Sequence, residues 1–281
     1  MSEQIHLGIS TCPNDTYAFH GILNRKIDLQ GLEFRIELLD VEELNRRLMA
    51  GEFDVAKASF HAALLLTGET LVLPAGSALG FGVGPVLLSN QTLSPQEFAE
   101  ENHRPPTVLC PGQHTTAHLL YRLFHKNTQI DQAVFSEIMP GLQNKKYDFG
   151  VCIHEGRFSY QAAGLHLIED LGTTWEEQTA SPLPLGGILG RRSLGSALLK
   201  KILSVIQASI QYAHEHRLET LATMQKYAQE FSDEVLMAHV DLYVNEWTTE
   251  LGEVGRSALQ KLGEIAQQMK IVEEGCQLQV L

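Results

Sequence analysis

Over the first two thirds of the chain, short apolar runs alternate with polar, helix-patterned stretches. Over the last third, apolar residues recur three and four apart without a break. IHLGIS (5–10), FRIELLD (34–40), FDVAKAS (53–59), TLVLPA (70–75), TVLCP (107–111), AVFSEI (133–138) and DFGVCIH (148–154) have the length and apolar content of strands. Between the first two, Asn14 or Asp15 is placed to cap a helix from about Thr16. Asp40 caps VEELNRRLMA, Glu43 completes a capping box and Gly51 marks the stop. TTAHLLYRLF reads as a helix between two strands. Short apolar strands alternating with helices imply parallel sheets covered on both faces, hence an α/β fold. After about residue 195, GSALLKKILSVIQASIQYAHEH, SDEVLMAHVDLYVNEW and GEVGRSALQKLGEIAQQM read as consecutive helices.

Two stretches of the chain echo each other. ISTCPNDT and VLCPGQHTT each run from a strand end through Cys-Pro and a polar loop to a Thr that opens a helix. LMAGEFDVAKAS and LQNKKYDFGVCIH each run from a helix end through an aromatic-Asp pair into a strand of small residues. Either the chain holds two similar α/β lobes, or short strand–loop–helix units resemble one another by chance. In open α/β sheets ligands bind beyond the carboxyl ends of strands, and clefts between domains are the other favoured place. Facing lobes would bring Thr11–Thr16, Lys57–Ser59, Gly112–Thr116 and His154–Arg157 to one cleft. The helix starts at Thr16 and Thr115 offer backbone N–H groups to a carboxylate or phosphate, and Lys57 adds a positive charge.

Composition narrows the partners. With 281 residues, 44% of them hydrophobic, the chain can bury a sizeable core in one large domain or two lobes. A formal net charge of −13 disfavours nucleic acid, yet a local pocket can still hold a small anion. Cys12, Cys110, Cys152 and Cys276 lie far apart with no C-x-x-C pair, which reads as reduced thiols in a cytosolic protein. MSEQIHLGIS has neither the basic nor the apolar region of an export signal. No stretch reads as the ~20 consecutive apolar residues of a membrane span.

STCPNDT, GSALGFGVGP (76–85), PGQHTTA (111–117), IHEGRFSY (153–160), PLPLGGI (182–188) and SDEVLMAHVDLYVNEW (232–247), in this order, resemble the 1,4-dihydroxy-6-naphthoate synthases of the futalosine route to menaquinone. The resemblance runs from about residue 5 to about residue 265. It implies a type II periplasmic-binding-protein-like fold of two lobes, each a mainly parallel sheet flanked by helices, used as an enzyme. Such a fold places 1–95 and 190–281 in lobe one and 96–189 in lobe two, with the active site in the cleft. The C-terminal helices would pack on lobe one, one of them being a candidate dimer surface. The implied reaction is a carbon–carbon lyase step, from cyclic dehypoxanthinyl futalosine to 1,4-dihydroxy-6-naphthoate, with no metal or organic cofactor. By motif, His154 matches the family's proton acceptor. Lys57, Ala58 and Ser59 match one substrate-binding stretch, and Thr116 and Ala117 another.

Each candidate has a plainer role beside it. His154 could be a strand-end histidine bonded to backbone. His114 and His118, four apart at a helix start, have the spacing of a metal pair, but no carboxylate or cysteine is placed to complete it. His114 otherwise lines the cleft or caps its helix, and the backbone N–H groups near Thr115 and Thr116 are placed to hold an anionic group. Arg157 can clamp a substrate carboxylate, or pair with Glu155 or Glu177. Asn14 can touch ligand or cap. GFGVG (80–84) is followed by a strand, so it reads as a close-packing or hinge segment and not as a phosphate loop. Two rival functions use the same cleft: a non-catalytic small-anion-binding protein, and a chorismate dehydratase.

Overall fold

The computed structural model describes residues 3–154, 156–228 and 232–281. The chain divides into two compact units, Met1–Gly80 with Pro184–Leu281, and Phe81–Leu183. Strands β1 (Glu3–Ser10), β2 (Leu32–Leu39), β3 (Val55–Ser59), β4 (Thr70–Val72) and β5 (Ala78–Gly80) belong to the first unit. β6 (Val86–Ser89), β7 (Thr107–Cys110), β8 (Gln129–Gln132), β9 (Phe149–Cys152) and β10 (His166–Asp170) belong to the second. β11 (Leu183–Arg191) returns to the first sheet. The units divide earlier than the boundaries at 95/96 and 189/190 expected from sequence, because β6 lies inside the second sheet and β11 inside the first.

Among the described residues the first sheet has six strands in the order β2-β1-β3-β11-β4, with β5 beside β11. β1 pairs in parallel with β2 and β3, while β11 runs antiparallel to β3 and β4. β1 shows why sequence marks it as a strand. Ile5, Leu7 and Ile9 alternate onto one face and are fully buried with Leu199, Ile202, Val205, Ile206 and Ile210 of the helix Gly195–Glu215. Each such side chain gains about 1.5–3 kcal/mol from leaving water. Gly8 faces the other way, where an added Cβ would lie 2.8 Å from Leu44 and 3.1 Å from Phe53. The helix Val41–Met49 can therefore seat close against the strand. The segment Arg192–Glu215 meets the length and apolar content of a membrane span, contrary to the expectation that no stretch would. Its apolar stripe is spent on the sheet, as in the core helix of a globular domain.

The second sheet runs β10-β6-β9-β7-β8. The orders β2-β1-β3-β11 and β8-β7-β9-β6 correspond, with the last strand antiparallel in each. The aromatic-Asp pairs occupy matching places. Asp54 accepts from the His6 N–H at 2.8 Å and returns its own N–H to the His6 carbonyl at 3.0 Å. Asp148 does the same with Thr107, at 2.7 and 3.0 Å. The echo in the sequence is therefore a structural repeat and not chance likeness. The strands within each repeat are parallel as expected; the antiparallel pairings come from the strands that carry the chain across.

Three local expectations are corrected. AVFSEI is not a strand. The chain pairs with β7 at Gln129–Gln132, then enters a 3₁₀ turn at Phe135–Glu137 and the helix Ile138–Gln143, whose Ile138 and Leu142 bury one turn apart. The first helix spans Pro13–Ala18, with Cys12 at the N-cap, so Asn14 and Asp15 lie inside it and cap nothing. Asp40 does cap its helix, accepting from the Glu42 N–H at 2.8 Å, but Glu43 pairs with Arg46 and closes no capping box.

Candidate functional site

At the carboxyl end of β1 the chain turns through Thr11 and Cys12 into the helix Pro13–Ala18, which proline at N1 starts. Asp15 is buried there and collects donors. Its Oδ2 accepts from the Ser10 hydroxyl at 2.7 Å and the Ser10 N–H at 3.3 Å. Its Oδ1 accepts from Asn14 Nδ2 at 3.0 Å and from Lys57 Nζ at 2.7 Å. Lys57, in β3, also donates to the Gly76 carbonyl at 3.0 Å. The side chains of Lys57 and Asp15 are only 7% and 3% exposed, so this is a buried ion pair with its polar atoms bonded. Lys57 is thus no solvated surface charge, and Asn14 joins it through Asp15.

β3 is buried along its whole length, Ala58 included, so its residues must be small or fully satisfied. Ser59 ends the strand and bonds twice to one side chain: its N–H donates to Asn45 Oδ1 at 2.9 Å, and its hydroxyl oxygen accepts from Asn45 Nδ2 at 3.1 Å. Asn45 sits on the buried side of the helix Val41–Met49 beside Leu44 and Leu48, and sequence reasoning overlooked it. The available signal was an asparagine on the apolar stripe of an amphipathic helix.

In the second unit, β7 leads through Pro111–His114 into the helix Thr116–Phe124. Thr115 is the N-cap. Its hydroxyl oxygen accepts from the His118 N–H at 3.2 Å, and its own O–H donates to the Gly112 carbonyl at 2.8 Å. Thr116 and Ala117 form the first turn and are buried, with His114 half-buried before them. His118 Nδ1 bonds the Gln113 carbonyl at 2.7 Å. Burial holds the His118 imidazole below its ordinary pKa, against the pull of that carbonyl. Among the described residues no three His, Cys, Asp or Glu side chains are grouped to hold a metal.

His154 follows β9 in the turn before the helix Gly156–Ser159. The strand stops at Cys152, two residues earlier than expected, and His154 takes φ 55°, in the left-handed region. A non-glycine residue there costs of order 1–3 kcal/mol, and such residues cluster at functional sites. Its half-buried ring meets Phe135 edge to face, with centroids 5.1 Å apart. Phe135 is available for this because AVFSEI turns instead of extending.

Arg157 is engaged elsewhere than expected. Its Nη1 donates to the Gly84 carbonyl at 2.7 Å and its Nη2 to Asp170 Oδ2 at 2.6 Å. Asp170 Oδ1 in turn accepts from the Gly172 and Thr173 N–H groups at 3.0 and 3.2 Å, capping the helix Leu171–Thr179. Its partner is therefore not Glu177; the other expected partner, Glu155, lies outside the described residues. The clamp joins GFGVG to the β10 corner, where Gly84 and Gly172 touch so closely that a Cβ on Gly84 would lie 2.2 Å from Gly172 Cα. That segment is close-packed, as its glycines imply. Cys12, Cys110 and Cys152 are buried thiols, and burial pushes Cys110 well above the ordinary range.

Two repeats of a β-α-β sheet unit, each closed by an antiparallel crossing strand, define the class. The fold is periplasmic-binding-protein-like. The ligand-binding component of an ABC-type import system from Staphylococcus aureus superposes with a TM-score of 0.73 at 11% identity, covering 99% of this chain and 97% of that one. The alkanesulfonate-binding protein SsuA from Xanthomonas axonopodis pv. citri, bound to MOPS, gives 0.72 at 11% identity over 99% and 97%. An Archaeoglobus fulgidus protein is nearer, with a TM-score of 0.89 at 30% identity over 96% and 98%. Within this class the chain belongs to the menaquinone biosynthesis family, which it matches over residues 5–268. It is 37% identical over 260 residues to 1,4-dihydroxy-6-naphthoate synthase of Thermus thermophilus, covering 92% of this chain and 93% of that protein. It is 34% identical over 267 residues to the enzyme of the same name from Streptomyces coelicolor, covering 93% and 92%.

Proposed function

We propose that this chain converts cyclic dehypoxanthinyl futalosine to 1,4-dihydroxy-6-naphthoate, releasing the sugar-derived fragment, with His154 as general base. The observation that carries the reading is the likeness to two synthases along nearly the whole chain, together with a strained histidine at the end of β9. Breaking a carbon–carbon bond next to a forming aromatic ring needs a proton removed and a negative charge accommodated. An imidazole, whose ordinary pKa lies near neutrality, suits the first task and contributes typically ~10²–10⁴-fold to rate. The N–H groups at the start of the helix Thr116–Phe124 suit the second. In this reading Lys57, Ala58 and Ser59 bind the small anionic substrate, as do Thr116 and Ala117 with the neighbouring His114 and Thr115. The reading assigns no metal or organic cofactor, and places the enzyme in the cytoplasm with no nucleic-acid or membrane partner. A homodimer through the C-terminal helices belongs to the same proposal.

Purified protein incubated with cyclic dehypoxanthinyl futalosine should yield the strongly ultraviolet-absorbing naphthoate, and incubated with chorismate should yield nothing. His154→Gly relieves the left-handed backbone, so the protein should unfold no more readily than wild type while kcat falls ~10²–10⁴-fold. Near wild-type turnover by this variant would remove His154 from the chemistry.

A further inference from the structure

We infer that Asn45 is a positioning residue that turns the Ser59 hydroxyl proton away from its own helix, so that this point of the site favours an oxygen acceptor from the substrate. The inference deepens the proposed function and rests on it.

The argument starts from what each atom can do. A backbone N–H only donates, so the Ser59 N–H, 2.9 Å from the Asn45 side chain, must face the amide oxygen. The other end of that planar amide is then NH₂, and it lies 3.1 Å from the Ser59 hydroxyl. An NH₂ group only donates, so the hydroxyl oxygen must accept. Glu42 Oε2, 3.2 Å from the same Nδ2, accepts a second proton and holds the amide in this orientation from the far side. A flipped amide would set its oxygen against a carboxylate and its NH₂ against a backbone N–H.

A serine hydroxyl has one proton. With one of its two lone pairs taken by Asn45, the oxygen directs that proton away from the helix Val41–Met49, and among the described residues it meets no acceptor. Ser59 is 4% exposed and Asn45 is fully buried, so bulk water does little to scramble the arrangement. A buried donor left without an acceptor is costly, and a substrate oxygen relieves that cost. A carboxylate or carbonyl oxygen fits. A hydroxyl satisfies that proton only by accepting it, and an ammonium group, which has no lone pair, leaves it unsatisfied. Ser59 therefore selects for polarity, while Asn45 touches no substrate and acts through Ser59 alone.

Asn45→Asp tests this with almost no change of shape. Its carboxylate still accepts from the Ser59 N–H but now also attracts the hydroxyl proton, turning Ser59 inward. The variant should raise KM about tenfold or more, the worth of one hydrogen bond to a charged group, with kcat within about threefold. Ser59→Ala should do the same. The double variant should be no worse than Ser59→Ala alone, because Asn45 has nothing left to orient. Titration of the naphthoate product into each protein should repeat the pattern. If Asn45→Asp does not fold, Asn45→Leu, which adds no charge beside Glu42, carries the same cycle. Penalties that add in the double variant, or a KM for Asn45→Asp within twofold of wild type, overturn the inference. A wild-type protein inert toward substrate and product refutes the functional reading instead, and the two failures are told apart by that control.

Discussion

The Asp15–Lys57 pair gives the sharpest test of how the first unit holds its strand ends. Asp15→Asn removes one charge and changes little else. Lys57 then keeps the Gly76 carbonyl but loses its counter-ion, in a place where its side chain is 7% exposed. An ammonium taken out of water and left unpaired costs several kcal/mol, and breaking one partner of a buried pair destabilises by about 3–5 kcal/mol. The replacement amide has a single oxygen where the carboxylate had two, so it cannot accept from Ser10, Asn14 and Lys57 together, and some of those bonds fail as well. Against a total stability of roughly 5–15 kcal/mol, the loss is large but survivable. Removing both charges, as Asp15→Asn with Lys57→Met, takes the orphaned ammonium away and should recover at least about 2 kcal/mol relative to the sum of the single changes. Urea unfolding followed by circular dichroism measures this, with unchanged m-values confirming that the same structure is being lost. A single-variant loss under about 1 kcal/mol, or strictly additive effects, would show that the pair does not bear on the fold as its geometry requires.

Two further outcomes follow from the second unit. Arg157→Lys can reach the Gly84 carbonyl or Asp170 but not both, so it should cost about 1–2 kcal/mol of stability while KM stays within about twofold; a large rise in KM with stability intact would return Arg157 to substrate binding. His118 is buried as the neutral imidazole, which lowers its pKa, as burial also does for His20 and His214. The unfolded chain therefore takes up protons first as pH falls below about 6.5, so stability is full above that value and declines through the window beneath it. His118→Gln should flatten part of that decline in melting temperature between about pH 7.5 and 5.5, and an unchanged slope would refute the assignment.

Much of this molecule is written locally. Ile5, Leu7 and Ile9 alternate because one face of β1 is buried, and Leu199, Ile202, Ile206 and Ile210 recur three and four apart because one face of a helix is buried. These periods are properties of neighbouring residues, so sequence alone determined the α/β class, the helical last third and the repeat around Asp54 and Asp148. The repeat in turn pointed to the strand ends where Lys57, Ser59, Thr116 and His154 lie. The tertiary structure decided the rest. Gln129–Gln132 is polar and largely exposed, and is a strand only because β7 offers it a ladder. Asp15 reads as a candidate cap until β3 brings Lys57 to it, Asn45 draws no notice until Ser59 turns toward it, and Arg157 reads as a ligand clamp or a partner of Glu155 or Glu177 until Asp170 takes it. In each case the partner is distant along the chain. A side chain's role there depends on which charge or donor the fold sets against it in a dry interior, and no local pattern carries that information.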